Sequence, residues 1–297
     1  MTISVDTASI PRDTQSVAKA LLQLTKPGVT RLVLVTSAAG ALVAPQRLPL
    51  GQFLLSLVGT AAVVGAANAL NMVFERDVDA LMERTRMRPL PQGRLTPEEA
   101  TIFGVVLAIL GLSFLSFFVA PITGLLAAVA LVSYVLVYTP LKRVTPMALH
   151  VGAIPGAIPP LLGWTSVTGR LDGPALSLFL VLFVWQLPHF LAITLFRQEE
   201  YRRAGLRVYA AELGAVRTRR AIVVYSLLMV AVSFLPLYFG LGSTAYAVLA
   251  ALVGVPFILL SLVGLTARGD VRWARTLFFA SLPYLVLIYG GLVVAAL

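Results

Sequence analysis

The chain contains no cysteine, which excludes disulfides, thiolate metal sites, a cysteine nucleophile and thioether-linked haem. Charge is scarce too. Only 12% of the 297 residues are charged, about half of the roughly 25% typical of a soluble domain. A surface that faces water cannot be built from so little. Hydrophobic residues make up 59% of the chain and the mean hydropathy is +0.91, so it reads as an all-α integral membrane protein. Short alternating segments of the kind a transmembrane β-barrel needs are absent. The net charge of +10 would point to nucleic acid in a soluble protein. In a membrane chain, basic residues first set topology.

A bilayer-crossing helix takes roughly 20 mostly apolar residues. Nine such runs are present, at about 29–45, 51–73, 99–119, 121–139, 147–167, 174–196, 220–240, 244–267 and 274–296. Residues 1–26 are polar and lack a signal-peptide core, so the first span is expected to be retained. Residues 27–297 then form a single intramembrane domain, with polar loops at about 75–98 and 197–219.

Of the 23 basic residues, 20 fall in one set of connections: from Arg12 to Lys26, Arg76 to Arg94, Lys142 and Arg143, Arg197 to Arg220, and Arg268 to Arg275. Arg47 and Arg170 fall in the opposite set, and Arg31 opens the first span. The positive-inside rule therefore places the N-terminus in the cytoplasm and, with nine crossings, the C-terminus outside. The thirteen acids are as uneven. Six lie between Glu75 and Glu99 and three between Glu199 and Glu212. The two acid-bearing loops follow spans four helices apart, a spacing that suits two related four-helix units with a ninth helix appended.

The first acidic loop reads NALNMVFERDVDALMERTRMRPLPQGR over residues 68–94. Asn71, Glu75 and Asp79 recur every fourth residue, which on one helix drifts only about 80° and keeps all three on one face. Asp77 points elsewhere, and Glu83 continues the drift. Clustered oxygen ligands suit Mg²⁺, which completes its shell with water and substrate phosphate. The interleaved arginines suit a phosphate ligand. A solvated, salt-bridged interfacial segment is the other reading of these charges. Asn71 favours the chemical one, because a buried amide inside a membrane helix needs a partner.

The second loop repeats the mixture, with Glu199 and Glu200 beside Arg197, Arg202 and Arg203. The span before it contains Gln186, Pro188 and His189. An intramembrane histidine is either a functional group or a hydrogen-bonded link between helices. His150, near a span end, is better explained as structural. In the fifth span, Gly152 and Gly156 with Pro155, Pro159 and Pro160 suit close helix packing or a backbone opened for a bulky ligand. YTPLKR, residues 138–143, brings Lys142 and Arg143 to the acidic side.

Six segments in order closely resemble one family. NMVFERDVDALMERTRMRPLPQGRL, LTKPGV, YTPLKRVTP, PGAIPPLLGW, WQLPHF and EEYRRAGL together resemble the UbiA superfamily of intramembrane prenyltransferases, in its haem-farnesylating branch. The resemblance runs from about residue 24 to 225 and implies a UbiA-like helical bundle. It implies farnesyl diphosphate and haem B as substrates and haem O as product, with Mg²⁺ as cofactor. Asn71, Glu75, Asp79 and Glu200 would hold the metal. Arg84, Arg88, Lys142 and Arg143 would meet the diphosphate, and His189 with Trp185 and Gln186 would meet the haem.

The resemblance also implies a bacterial-type inner membrane with cytoplasmic active-site loops, and haem A synthase or terminal oxidase assembly as neighbours. Three positions depart from the family pattern. Glu75 replaces an aspartate, Ala148 stands where asparagine is frequent, and Arg207-Val208-Tyr209-Ala210 replaces Pro-Met-Leu-Pro. Rival readings are a prenyltransferase for a quinone precursor or other aromatic acceptor, a transporter and a haem carrier. WQLPHF argues against the first, the one-sided acids against the second and the acid-rich loops against the third. A reporter fused after Leu297 is expected to score as external; a cytoplasmic score would break the orientation.

Overall fold

A computed structural model describes residues 14–266 and 270–297. Arg12 and Arg268, both used in the orientation reading, lie outside the described residues, as do residues 1–13 of the polar segment and Ala267 at the end of the eighth span. Among the described residues the regular elements are all helical. They are α1 (Thr14–Leu24), α2 (Pro27–Val43), α3 (Leu50–Phe74), α4 (Arg76–Leu81), α5 (Pro97–Phe114) and α6 (Pro121–Val132). After α7 (Thr139–Leu141), α8 (Ala148–Ala157) and α9 (Pro159–Thr168) come α10 (Gly173–Phe196), α11 (Gln198–Arg203) and α12 (Tyr209–Ser233). The last three are α13 (Leu235–Tyr238), α14 (Thr244–Val263) and α15 (Val271–Ala296).

Among the described residues, seven helical stretches are long and apolar enough to cross a membrane. The first expected span is the shorter helix α2, of 17 residues. The fifth is two ten-residue helices, α8 and α9, meeting at Ile158. Prolines explain that break. Pro159 and Pro160 have no N–H to continue the α8 ladder, but they suit the first turn of a new helix.

Local chemistry starts the long helices where the chain needs them. Thr96 and Glu99 form a reciprocal capping box at α5. Asp172, Ser243 and Asp270 accept from backbone N–H groups at the starts of α10, α14 and α15. Two helices end in π-helical turns, Leu115–Val119 after α5 and Ser133–Tyr138 after α6. The second runs directly into α7.

Helix α10 is the central post, packed on α8, α9, α12 and α15. Helix α3 lies on α5, and α2 crosses α9 and reaches α15, so the first and last long helices meet and close the ring. Large apolar side chains such as Val58, Phe117 and Phe118 point outward, as a lipid-facing surface requires. At the α2–α9 crossing, a Cβ on Gly163 would lie 1.8 Å from the Ser37 carbonyl oxygen. Only glycine allows the two backbones to come this close.

Gly163→Val should therefore destabilise the protein by about 2 kcal/mol or more, read as a lower unfolding temperature in detergent. Gly290→Ala, where an added Cβ meets open space, should stay within about 0.5 kcal/mol of wild type. Equal stability of the two variants would show that the crossing tolerates a wider gap.

Candidate active site

A cavity of about 520 Å³ opens inside the bundle. Its polar end is built from the last turn of α3, the start of α2 and the loops around α4 and α7. Helix α3 stops at Phe74, and Glu75 sits at a bend (φ −103°, ψ 7°) before α4. The continuous helix expected across Asn71, Glu75 and Asp79 is thus two helices. The spacing survives the bend because Glu75 N–H donates to the Asn71 carbonyl at 3.0 Å and Asp79 N–H to the Glu75 carbonyl at 2.7 Å. All three side chains line the cavity.

Each of these groups is held by a cation. The Lys142 ammonium pairs with Glu75. Arg88 Nη1 donates to both Asp79 oxygens, at 2.8 and 2.6 Å. Asn71 is a three-way link: its Oδ1 accepts from Lys26 Nζ at 3.0 Å, and its Nδ2 donates to Glu75 and to Thr139 Oγ1, each at 3.0 Å. The π-helical turn places Tyr134 and Tyr138 on the cavity wall, and Thr139 donates back to the Tyr134 carbonyl at 2.8 Å. Lys142 Nζ rests 4.7 Å above the centre of the Tyr138 ring.

Lys26 stands in the left-handed backbone region, with φ 48° and ψ 68°. An L residue held there stores strain. Burial, together with the Arg88 and Lys142 charges, pushes its ammonium pKa down to about 7. Burial also works against the charge on Lys142, but Tyr138 and Glu75 more than offset it, so that proton is held more tightly than in water. In all, Lys26, Arg84, Arg88 and Lys142 face the two carboxylates Glu75 and Asp79. The wall carries an excess of positive charge.

Two of the expected residues go elsewhere. Arg143 does not line this cavity; it makes an exposed pair with Asp77, at 2.6 and 2.9 Å, and donates to the Phe74 carbonyl. That pairing holds the Asp77 carboxyl below the usual carboxylate range. Glu200 also stays out of the lining. Its Oε2 is taken by Arg197 at 2.9 Å and its Oε1 by the Arg84 backbone N–H at 3.3 Å. The neighbouring arginine three residues back captures it, and Tyr201 is the residue of α11 that faces the cavity. Among the described residues, no three histidine or acidic side chains gather in a metal-sized group. Glu83 is exposed in the turn after α4.

The deeper part of the cavity is apolar apart from α10. Gly152 and Gly156 of α8 give room for the Tyr138 ring and the Gln186 amide, which an added Cβ would meet at 2.4 and 2.1 Å. Gln186 donates to the Ala153 and Leu182 carbonyls at 3.2 and 3.3 Å. Trp185 stacks on His189, ring centres 4.7 Å apart, and donates its Nε1–H to the Ser281 carbonyl at 2.7 Å. Ser281 Oγ donates to the Phe278 carbonyl at 2.6 Å and lies 2.6 Å from His189 Nδ1.

A serine has one hydroxyl proton. With it committed to Phe278, the network assigns the Nδ1–H tautomer to His189. Nε2 then carries a free lone pair, has no protein partner among the described residues, and belongs to a side chain that lines the cavity. His150 does not line it and instead meets the Tyr225 hydroxyl at 2.7 Å.

Lys26, Tyr134, Tyr138, Tyr201 and Ser281 were not singled out by site reasoning from sequence. LTKPGV did contain a signal for Lys26, a cation at a helix start. Ser281, on the otherwise generic last helix, had none.

Residues 32–282 match the model of the UbiA prenyltransferase family. The chain belongs to the UbiA prenyltransferase family. It is 54% identical over 259 residues to a protoheme IX farnesyltransferase of Sorangium cellulosum, covering 87% of this chain and 92% of that protein. It is 45% identical over 296 residues to one of Anaeromyxobacter sp., covering 100% of each. In fold, this UbiA-family chain is similar to a digeranylgeranylglyceryl phosphate synthase, with TM-score 0.80 at 20% identity over 94% of this chain and 98% of that one. It is also similar to a UbiA homolog from Archaeoglobus fulgidus bound to GPP and Mg²⁺, with TM-score 0.64 at 15% identity over 92% and 99%. It is an integral membrane protein.

Lys142→Met would leave Glu75 buried without its cation, a loss of about 3 kcal/mol. Adding Glu75→Gln should restore most of that stability, measured by thermal unfolding in detergent. A double variant as unstable as Lys142→Met alone would mean that packing of the lysine stem, not its charge, matters here.

Proposed function

We propose that this chain transfers a farnesyl group from farnesyl diphosphate to a vinyl group of haem B, giving haem O. The carrying observation is the cavity itself. One end presents four basic groups and two carboxylates, and the other is apolar with an unpartnered His189 nitrogen. The protoheme IX farnesyltransferases of Sorangium and Anaeromyxobacter, similar over nearly the whole chain, support this acceptor.

The donor set fits Mg²⁺. Asn71, Glu75 and Asp79 offer hard oxygen atoms on one wall, and magnesium leaves room for diphosphate oxygens and water. The Archaeoglobus homolog with GPP and Mg²⁺ supports magnesium at the level of the family. When bound, the metal supplies charge neutralisation for the leaving diphosphate. The other parts are performed by side chains. Lys26, Arg84, Arg88 and Lys142 hold the diphosphate and stabilise its charge as the allylic C–O bond breaks. In the proposed role for Glu200, it fixes the Arg84 backbone. Arg143 acts on the α3–α4 bend through Phe74 and Asp77.

The electron pair of the C–O bond leaves with diphosphate. A vinyl carbon of haem B then attacks the farnesyl cation, forming the new C–C bond. Water adds to the cation left on the side chain and gives up one proton, so farnesyl diphosphate, haem B and water yield haem O, diphosphate and a proton. The apolar walls exclude water until that point. His189 Nε2, its ring set by Trp185 and Ser281, is positioned to ligate haem iron, and Gln186 backs the same wall.

The nine crossings, with α2 and the broken pair α8–α9 each spanning once, belong to the same proposal. So do a single domain over 27–297, a cytoplasmic N-terminus, an inner-membrane location and contact with haem A synthase or oxidase assembly. The hydrogen bond of Arg47 Nη2 to the Ala296 carbonyl at 2.8 Å supports termini on opposite faces, since it brings the C-terminus to the connection between the first two spans.

Purified protein given haem B, farnesyl diphosphate and Mg²⁺ should form haem O, detected by mass. Glu75→Gln and Asp79→Asn should each cut turnover by about 10²-fold or more while remaining inserted. Binding or movement of haem without product would sink the enzyme reading, and wild-type rates in both variants would remove the metal role.

A further inference from the structure

A second cavity of about 230 Å³ lies beside the first. The two share Arg84, Tyr138, Lys142, Phe190, Tyr201 and Leu206 as a common wall. The far wall of the second cavity is the segment after α11, Arg207-Val208-Tyr209, facing Ile193 one turn beyond His189 on α10. This is the segment whose sequence departs from the family pattern. Its placement is secured by backbone bonds: Leu206 N–H donates to the Tyr201 carbonyl and Arg207 N–H to the Lys142 carbonyl, both at 3.0 Å.

The electrostatics of this second space are one-sided. Arg84, Lys142 and Arg207 line it, and no carboxylate does. Lys142 is already paired with Glu75. The Arg84 and Arg207 guanidinium groups make no ion pair or side-chain hydrogen bond among the described residues. Beside them stand the rings of Tyr138, Tyr201, Tyr209 and Phe190. Unpaired guanidinium groups favour carboxylates, and ring faces favour a flat aromatic body. A planar aromatic ligand with acidic groups on one edge matches both.

We infer that this second cavity is the acceptor port, where Arg207 binds a propionate carboxylate of the porphyrin. The inference rests on the proposed farnesyl transfer to haem B. The macrocycle then lies along Tyr209 and Phe190 and crosses the shared wall. Its propionate edge stays at the polar surface, and its vinyl edge enters the main cavity beside the diphosphate-binding cations. Arg207 is a binding residue in this scheme and takes no part in breaking the C–O bond.

The test compares wild type, Arg207→Gln and Arg207→Lys in detergent, with haem B and with its dimethyl ester, which lacks the propionate charges. Equilibrium binding is read from the haem absorbance, and KM values are measured for haem B and for farnesyl diphosphate. Arg207→Gln should weaken haem B binding by about tenfold, the effect of one charge-assisted hydrogen bond. It should leave the KM for farnesyl diphosphate unchanged, and Arg207→Lys should recover most of the loss. The ester should bind wild type and Arg207→Gln equally.

Unchanged haem B binding in Arg207→Gln would overturn the inference. So would an equal loss for the ester, or a rise only in the KM for farnesyl diphosphate. Absence of haem O with wild type would instead overturn the reaction itself, while the binding comparison still reads the Arg207 contact.

Discussion

The structure depends on one electrostatic constraint: charge inside a low-dielectric bundle has to be buried in compensating sets. Glu75 and Asp79 are nearly inaccessible, and each would be prohibitively costly there alone. Lys142 and Arg88 relieve that cost, and Asn71 ties the group to Lys26 and Thr139. The contacts join residues far apart in the chain, so the ends of α3, α2 and α7 must converge on one point. The bend at Glu75, the left-handed backbone at Lys26 and the π-helical turn before Thr139 are the local adjustments that allow it. Such irregular backbone is tolerated at membrane depth only where protein or a cavity surrounds it.

Much of this was legible from composition and spacing. Long apolar runs marked the helices, and the fourfold spacing of Asn71, Glu75 and Asp79 placed them on one wall despite the intervening bend. Charge partners were harder to read. Lys142 and Arg143 are adjacent in sequence, yet one enters the cavity and the other pairs with Asp77 outside. Neighbouring residues on a helical turn point in different directions, and the position of the α3–α4 bend decides which acid each one meets. Glu200 shows the same limit: Arg197 lies within its reach on the same turn, while the next residue, Tyr201, is the one that faces the main cavity.

The apolar runs were legible as helices but not in role. Nothing in the sequence of α15 distinguishes Ser281 from any small residue at a helix interface. Its importance arises because α10 and α15 pack together, bringing its hydroxyl to His189 and its carbonyl to Trp185. The proline-rich span was readable as irregular, but whether it served packing or opened a cavity was not. The structure does both at once, since Gly152 and Gly156 sit on the cavity wall and admit neighbouring side chains there.

The surplus of cations over carboxylates in the main cavity has a thermodynamic consequence. A divalent cation arriving alone meets a wall of its own sign, with both acids already engaged by Lys142 and Arg88. If a diphosphate binds this wall as proposed, it would draw those basic groups toward itself and release the acids. Under that proposal each ligand would prepare the site for the other, and by reciprocity the gain in affinity would be the same whichever is bound first. The resting ion pairs would then act as a lock with two keys, neither of which turns easily by itself.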